Sequence, residues 1–217
     1  YKEQGYLPEA MLNFMSLLGW NPGTEQEIFT LKELVEVFSL ERLQKQGAIF
    51  NGEKLNWINK DNIKKLSKEE TEKNILEYLP ENMQNKIIVQ KLAPIILERI
   101  SKWGDVKEMA GAGELDFFFK QPEYEKSKLI YKNSSPEQIA NNLKKSVEVL
   151  EKLDEKEFTH ENVKNLLMQV ADTLQSRGEL LHPVRFALSG LDKSPDPFTI
   201  AEILGKNETL LRLQKAI

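Results

Sequence analysis

Apolar residues along the chain recur every three to four positions, the spacing of one face of an α-helix. After Pro8, which a first helical turn tolerates, Met11, Leu12, Phe14, Met15 and Leu18 keep that spacing until Gly19 ends the run. Asn21-Pro22-Gly23 reads as a turn. Thr30, with Glu33 three residues on, predicts a capping box opening a helix through Leu31, Leu34, Val35 and Phe38. Ser39, Arg42 and Leu43 suggest a short further turn. Leu55, Ile58, Ile63 and Leu66 then mark a helix ending near Ser67. Ser67 and Glu70 form a second capping box, and Pro80 halts the helix that carries Ile75, Leu76 and Leu79. The pattern continues through Ile87, Ile88, Leu92, Ile95, Ile96 and Ile100, with Pro94 expected to kink or divide it.

Between residues 111 and 134 the helical period is lost. Gly111, Gly113 and Pro122 interrupt a run that holds Phe117, Phe118 and Phe119, so this stretch reads as a connector packed at its aromatic end. Helices resume where Ser135 caps and Pro136 takes the first position, leading into Ile139, Leu143, Val147, Leu150 and Leu153. Thr159 caps the next, through Val163, Leu166, Leu167, Val170 and Leu174, with Gly178 as its expected end. Three short pieces complete the chain: residues 183–189, 198–204 and 207 to the end. No pair of alternating runs at hairpin spacing occurs, and no fixed repeat is visible. The predicted class is all-α, a string of helical bundles.

Composition narrows the picture. With 217 residues, 40% hydrophobic and 29% charged, the chain can build proper cores, two or three being expected rather than one. No run approaches the roughly 18 to 20 apolar residues of a membrane span, so no membrane is expected. The absence of cysteine removes disulfides and thiolate chemistry and is compatible with a cytoplasmic setting. The opening Tyr1-Lys2-Glu3 lacks an initiating Met and a signal peptide, and reads as an artificial start or an internal cut. A formal charge of −4 argues against a protein that coats DNA, yet leaves room for one that grips a structured RNA at a few places.

Catalytic chemistry is not legible. The two histidines, His160 and His182, are far apart in sequence, and neither lies in a metal-binding motif. His160 reads as a solvated first-turn residue, while His182, near Arg185, leaves contact with an anionic partner open. The acidic pairs, such as Glu69-Glu70 and Asp154-Glu155, sit among lysines on faces expected to be solvated. Gly111-Ala112-Gly113 lacks the context of a phosphate loop, and no nucleophile elbow occurs. No catalytic residue, metal site or cofactor is therefore expected on this chain.

Gly5-Tyr6-Leu7-Pro8-Glu9-Ala10-Met11-Leu12-Asn13-Phe14, with Leu17-Leu18-Gly19-Trp20, resembles the segment after the K-M-S-K-S loop of bacterial-type glutamyl-tRNA synthetases. Phe29 to Phe38, then Phe50 to Asn59, resembles the next segment of that family. His182-Pro183-Val184-Arg185-Phe186-Ala187-Leu188-Ser189-Gly190, then Ser194-Pro195, Phe198, Leu204-Gly205-Lys206 and Leu211-Arg212-Leu213, is similar to the family's C-terminus. The middle matches mainly at Glu98-Arg99-Ile100 and the Phe117 cluster. The resemblance implies a helical stem-contact domain over residues 1–66 and two helical anticodon-binding subdomains, 67–130 and 131–217. It further implies that ATP and Mg belong to a catalytic domain upstream, since H-I-G-H and K-M-S-K-S do not occur here. A glutaminyl-tRNA synthetase would carry β-barrels in this region, against the helical period.

The implied partner is tRNA-Glu, with tRNA-Gln left open, and the chain is expected to act as a monomer. Anticodon bases can be splayed out, stacked and read at their edges. Arg185 suits a phosphate or a guanine edge, and Ser194-Pro195-Asp196-Pro197-Phe198 is a rigid turn entering a helix. The resemblance places contacts to the second and third anticodon bases at Arg185 and this turn, with Ser194, Pro195, Pro197 and Phe198 as its members. Structural roles stand beside these: capping or ion pairing for Arg185, a core staple for Phe198. Family members that charge only tRNA-Glu read the last anticodon base with an arginine near residues 98–102, where either Arg99 or Lys102 falls according to the register. The alternative function is a non-catalytic helical interaction module on the same scaffold, motivated by the acidic balance.

Overall fold

A computed structural model of the chain describes residues 1–44 and 49–217. Among them there is no β-strand, only an isolated antiparallel bridge between Trp20 and Leu43. The chain divides into two compact units, Tyr1–Ala112 and Gly113–Ile217.

The N-terminal unit contains α1 (Pro8–Gly19), α2 (Leu31–Val37), α3 (Gly52–Lys64), α4 (Lys68–Tyr78), α5 (Lys86–Arg99) and α6 (Gly104–Gly111). Both predicted capping boxes are present. The Thr30 and Ser67 hydroxyls accept from the N–H groups of Glu33 and Glu70, and each glutamate returns to the cap backbone. These contacts satisfy backbone donors that the first helical turn leaves over. Pro94 lies inside α5 without dividing it. The helix accommodates the proline because buried Val89, Leu92, Ala93 and Ile96 anchor it on both sides. Ala10 and Phe14 of α1 pack on Leu55 and Ile58 of α3, and Trp20, Phe29 and Leu34 form a neighbouring cluster. Asn13 is buried between them as a bracket, donating to the Glu27 carbonyl (3.0 Å) and accepting from Phe29 N–H (2.8 Å).

Residues 101–104 are clasped to residues 4–7. Trp103 N–H donates to the Gly5 carbonyl and Gly104 N–H to that of Gln4, both at 3.1 Å. Asn59, fully buried, accepts from Leu7 N–H (2.8 Å) and donates to the Ser101 carbonyl (2.6 Å). The two backbones approach so closely that a Cβ on Gly5 or Gly104 would lie 2.6 Å from the opposing chain, and Gly5 holds a φ of +83°. Only glycine meets both requirements at position 5.

The C-terminal unit contains α7 (Asp116–Phe119), α8 (Pro136–Leu150), α9 (His160–Ala171), α10 (Gly178–Ser189), α11 (Pro197–Leu204) and α12 (Lys206–Ala216). The expected connector is thus partly helical: α7 buries Phe117 and Phe118, and a short 3₁₀ turn at Lys126–Leu129 buries Leu129. Its turns are too short to show a period, so only tertiary packing reveals them. Gly178 opens α10 instead of ending α9, which stops at Ala171. Helix α8 packs against α9, α10 and α12, and α11 against α9, α10 and α12. Leu143, Leu150, Val163, Leu167, Leu180, Val184, Leu188, Ile200 and Leu213 are fully buried there. Each contributes roughly 1.5–3 kcal/mol relative to exposure.

Candidate nucleic-acid interface

The loop between α10 and α11 is built from its two ends. Gly190 leaves α10 in the left-handed conformation (φ +68°), and its N–H donates to the Phe186 carbonyl at 2.7 Å. This closes the helix and turns the chain sharply. The Ser189 hydroxyl accepts from Leu191 N–H (3.3 Å) and donates back to the Arg185 carbonyl (2.8 Å). At the far end Asp196 caps α11, accepting from Phe198 N–H (3.0 Å), Thr199 N–H (2.9 Å) and the Thr199 hydroxyl (2.6 Å). Pro197 takes the first helical position, where a missing N–H is harmless.

Arg185 crosses this loop. Its Nη1 donates to the Leu191 carbonyl (3.1 Å) and to Ser194 Oγ (2.8 Å), while the side chain stays half-buried. Both bonds use one nitrogen, and no acceptor among the described residues meets Nε or Nη2. A half-buried guanidinium with spare planar donors suits a phosphate or a base edge. Of the residues singled out in the sequence, Ser194, Pro195, Pro197 and Phe198 thus share one loop and the start of the helix after it, and Arg185 reaches that loop from α10. Ser194 and Pro195 are half-buried, whereas Pro197 and Phe198 are buried, Phe198 at 7% exposure.

Arg99 and Lys102 belong to the N-terminal unit. Arg99 is exposed in the last turn of α5. Lys102 pairs with Asp105, and Glu108 lies 3.6 Å away. Burial works to lower the Lys102 ammonium. The Asp105 bond and charge, with Glu108 and Tyr6, outweigh it and raise the group above its ordinary value. Burial likewise works to raise Asp105. The Lys102 bond, the N–H groups of Ser101 and Lys102 and the lysine charge together bring it below the usual carboxylate range. Lys102 therefore stays charged, but its charge is shared with Asp105.

At Asp196 burial also opposes ionisation, and the Thr199 hydroxyl and N–H, the His160 charge and the Phe198 N–H together lower the carboxyl below its ordinary value. A depressed carboxyl stabilises the fold fully above its unfolded value, near pH 4, and loses that effect as pH falls through its folded value. The acid limb of stability should consequently be shallower in Asp196→Asn, which keeps a capping oxygen but no titration. Urea midpoints by circular dichroism between pH 7 and 3, wild type against variant, read this difference.

Arg212 stands out in the sequence only as part of a C-terminal match, yet it is a structural centre. It is 4% exposed. Nη1 donates to the carbonyls of Phe117 and Leu188 (2.7 Å each), Nη2 to that of Lys120 (3.2 Å) and Nε to Glu208 (2.7 Å). The signal available was an arginine between Leu211 and Leu213, four residues after Glu208. His182 is occupied as well, with Nε2 2.9 Å from the Lys128 carbonyl. Among the described residues no group of three or more His, Asp or Glu side chains could hold a metal ion, and no helix is long and apolar enough to cross a membrane.

Two family models match the chain: the anticodon binding domain over residues 70–217, and the class I tRNA synthetase (E and Q) catalytic domain over residues 1–57. A glutamate–tRNA ligase of Clostridium kluyveri is 39% identical over 222 residues, covering 99% of this chain and 44% of the relative. One from Phocaeicola vulgatus is 37% identical over 225 residues, covering 100% and 42%. The crystal structure of a glutamate tRNA ligase from Elizabethkingia meningosepticum, in complex with its amino acid, superposes with a TM-score of 0.82 at 32% identity, over 100% of this chain and 42% of that one. The chain thus spans less than half the length of the relatives it matches. Anticodon-domain sequence over two thirds of its length and a shared all-helical fold place this chain in the glutamate–tRNA ligase family, within the region that carries the anticodon-binding domain.

Proposed function

We propose that this chain is the tRNA-reading part of an ATP-dependent ligase that attaches glutamate to tRNA-Glu. Residues 1–66 would contact the stem, and 67–130 and 131–217 would form two anticodon-binding subdomains. The observation that carries the reading is Arg185, a half-buried guanidinium fixed through Nη1 to the 191–194 loop, with Nε and Nη2 unmatched among the described residues. In this reading Arg185, Ser194 and Pro195 meet splayed anticodon bases, and Pro197 and Phe198 hold the turn from within. Arg99 or Lys102 reads the last base, and Lys102 would have to exchange Asp105 for RNA to do so. Which of them acts sets whether tRNA-Gln is also accepted. ATP and Mg would be held by the catalytic domain, and the protein would work as a cytoplasmic monomer with no role for DNA.

Filter binding of the tRNA-Glu anticodon stem-loop across salt concentrations tests this. Arg185→Ala should weaken binding by about 1–3 kcal/mol with helical circular dichroism unchanged. Arg185→Lys should recover only part, because a point charge cannot reproduce two planar donors. No binding of the wild type even at low salt would reject the reading. The net charge of −4 motivates the competing one, a helical module that binds a protein and shows no salt-dependent RNA shift.

A further inference from the structure

The 194–198 turn is held at both ends, and only one of the two holds belongs to the residues already assigned. Arg185 fixes Ser194. The other end is met by His160, the first residue of α9, a helix packed against α11. His160 Nε2 lies 3.6 Å from Asp196 Oδ1, the same oxygen that accepts from the Phe198 and Thr199 N–H groups. Its ring also stands edge-on to that of Phe198, with centroids 5.9 Å apart and planes at 86°. Edge-to-face geometry of this kind is attractive beyond the area it buries. His160 therefore touches both the cap that starts α11 and the ring that anchors it, from a different helix and 36 residues before Asp196 in sequence.

A surface histidine in a first helical turn has no intrinsic reason to make either contact. Its presence here also changes the electrostatics of the loop. Asp196 is half-exposed, its side chain at 47%, on a turn proposed to approach RNA. A bare carboxylate there would repel phosphate. The His160 ring instead places a nitrogen 3.6 Å from that carboxylate.

We infer that His160 is a positioning residue for base recognition: through Asp196 and Phe198 it sets the geometry of the turn that, with Arg185, reads the anticodon. This rests on the anticodon reading proposed above.

The test uses the whole 217-residue chain and two readouts. The first needs no RNA: hydrogen exchange at the Phe198 and Thr199 amides should accelerate in His160→Ala, by roughly threefold to tenfold for the loss of one edge-on ring contact. The second is affinity for the tRNA-Glu anticodon stem-loop and for the same stem-loop with its middle anticodon base changed. His160→Ala should lower cognate affinity by a similar factor and narrow the ratio between the two RNAs, while the melting temperature stays within a few degrees of wild type. His160→Phe, which keeps the ring contact but not the nitrogen, should restore amide protection more than it restores affinity. Unchanged exchange at Phe198 and Thr199 overturns the inference whatever the RNA does, and so does faster exchange with an unchanged ratio. A wild-type chain that fails to bind the stem-loop overturns the anticodon reading and this inference with it.

Discussion

Arg212→Met is expected to destabilise the C-terminal unit by about 3–5 kcal/mol, mainly because three carbonyls lose one buried donor. The side chain is similar in volume, so the loss is one of hydrogen bonds more than of packing. Three carbonyls, of Phe117, Lys120 and Leu188, lose their donor together, and Glu208 loses its partner. An unsatisfied buried acceptor costs about 1–3 kcal/mol, so the low end for three sets the bottom of that range, while Glu208, one third exposed, turns to water. Arg212→Lys should recover a minority of it, since one ammonium cannot span acceptors on α7, α10 and the segment after α7. Urea unfolding followed by circular dichroism measures the shift. All three tryptophans, Trp20, Trp57 and Trp103, lie in the N-terminal unit, so their fluorescence provides a separate signal for that unit. A loss below about 1 kcal/mol would mean that water replaces the guanidinium, and would remove Arg212 from its structural role.

The second large effect concerns the clasp. Asn59→Ala should destabilise the N-terminal unit by about 2–4 kcal/mol, because Leu7 N–H and the Ser101 carbonyl both lose their partner in a buried site. Trp103 sits two residues from Ser101 and is 2% exposed, so its fluorescence should report the loosening directly. Asn59→Asp separates the two bonds. Its carboxylate still accepts from Leu7 N–H but faces the Ser101 carbonyl without a proton to give. Burial raises such a carboxyl, so the deficit of this variant relative to wild type should be largest near neutral pH and should shrink as acid protonates it. A stability difference between wild type and Asn59→Asp that is the same at pH 4 and pH 7 would contradict the geometry assigned to this side chain. The clasp also matters for Lys102, which lies within it: whatever moves residues 4–7 moves the loop that carries this lysine.

Much of the helical fold is legible along the chain because its determinants act over four or five residues. The Thr30, Ser67, Ser135 and Thr159 caps are each read from a hydroxyl and the residues just after it, and all four accept the expected backbone N–H. Where the structure departs from that pattern, the deciding forces are longer in range. Pro94 does not divide α5, since flanking apolar residues are held in a core. Gly178 begins a helix whose continuation through Pro183 depends on tertiary burial of Leu180, Pro183 and Val184. The 111–134 stretch contains turns too short to have a period.

The candidate site divides in the same way. Arg185 and the Ser194-to-Phe198 turn are close in sequence, and a rigid Pro-Asp-Pro start to a helix is visible in the letters themselves. The bond from Arg185 to Ser194 arises across a nine-residue separation closed by Gly190. His160, Asn59 and Arg212 are different. Their partners lie 36, 42 to 52, and up to 95 residues away. One residue type serves equally well on a solvated face or at a buried junction, and the letter alone does not distinguish them. Hydrophobic period and capping chemistry determine which segments are helical, because those interactions close within a turn. Which polar side chains become buried brackets, and which loop the His160 ring steadies, is decided only when packing brings distant backbone groups to an Asn, an Arg or a His that can satisfy them.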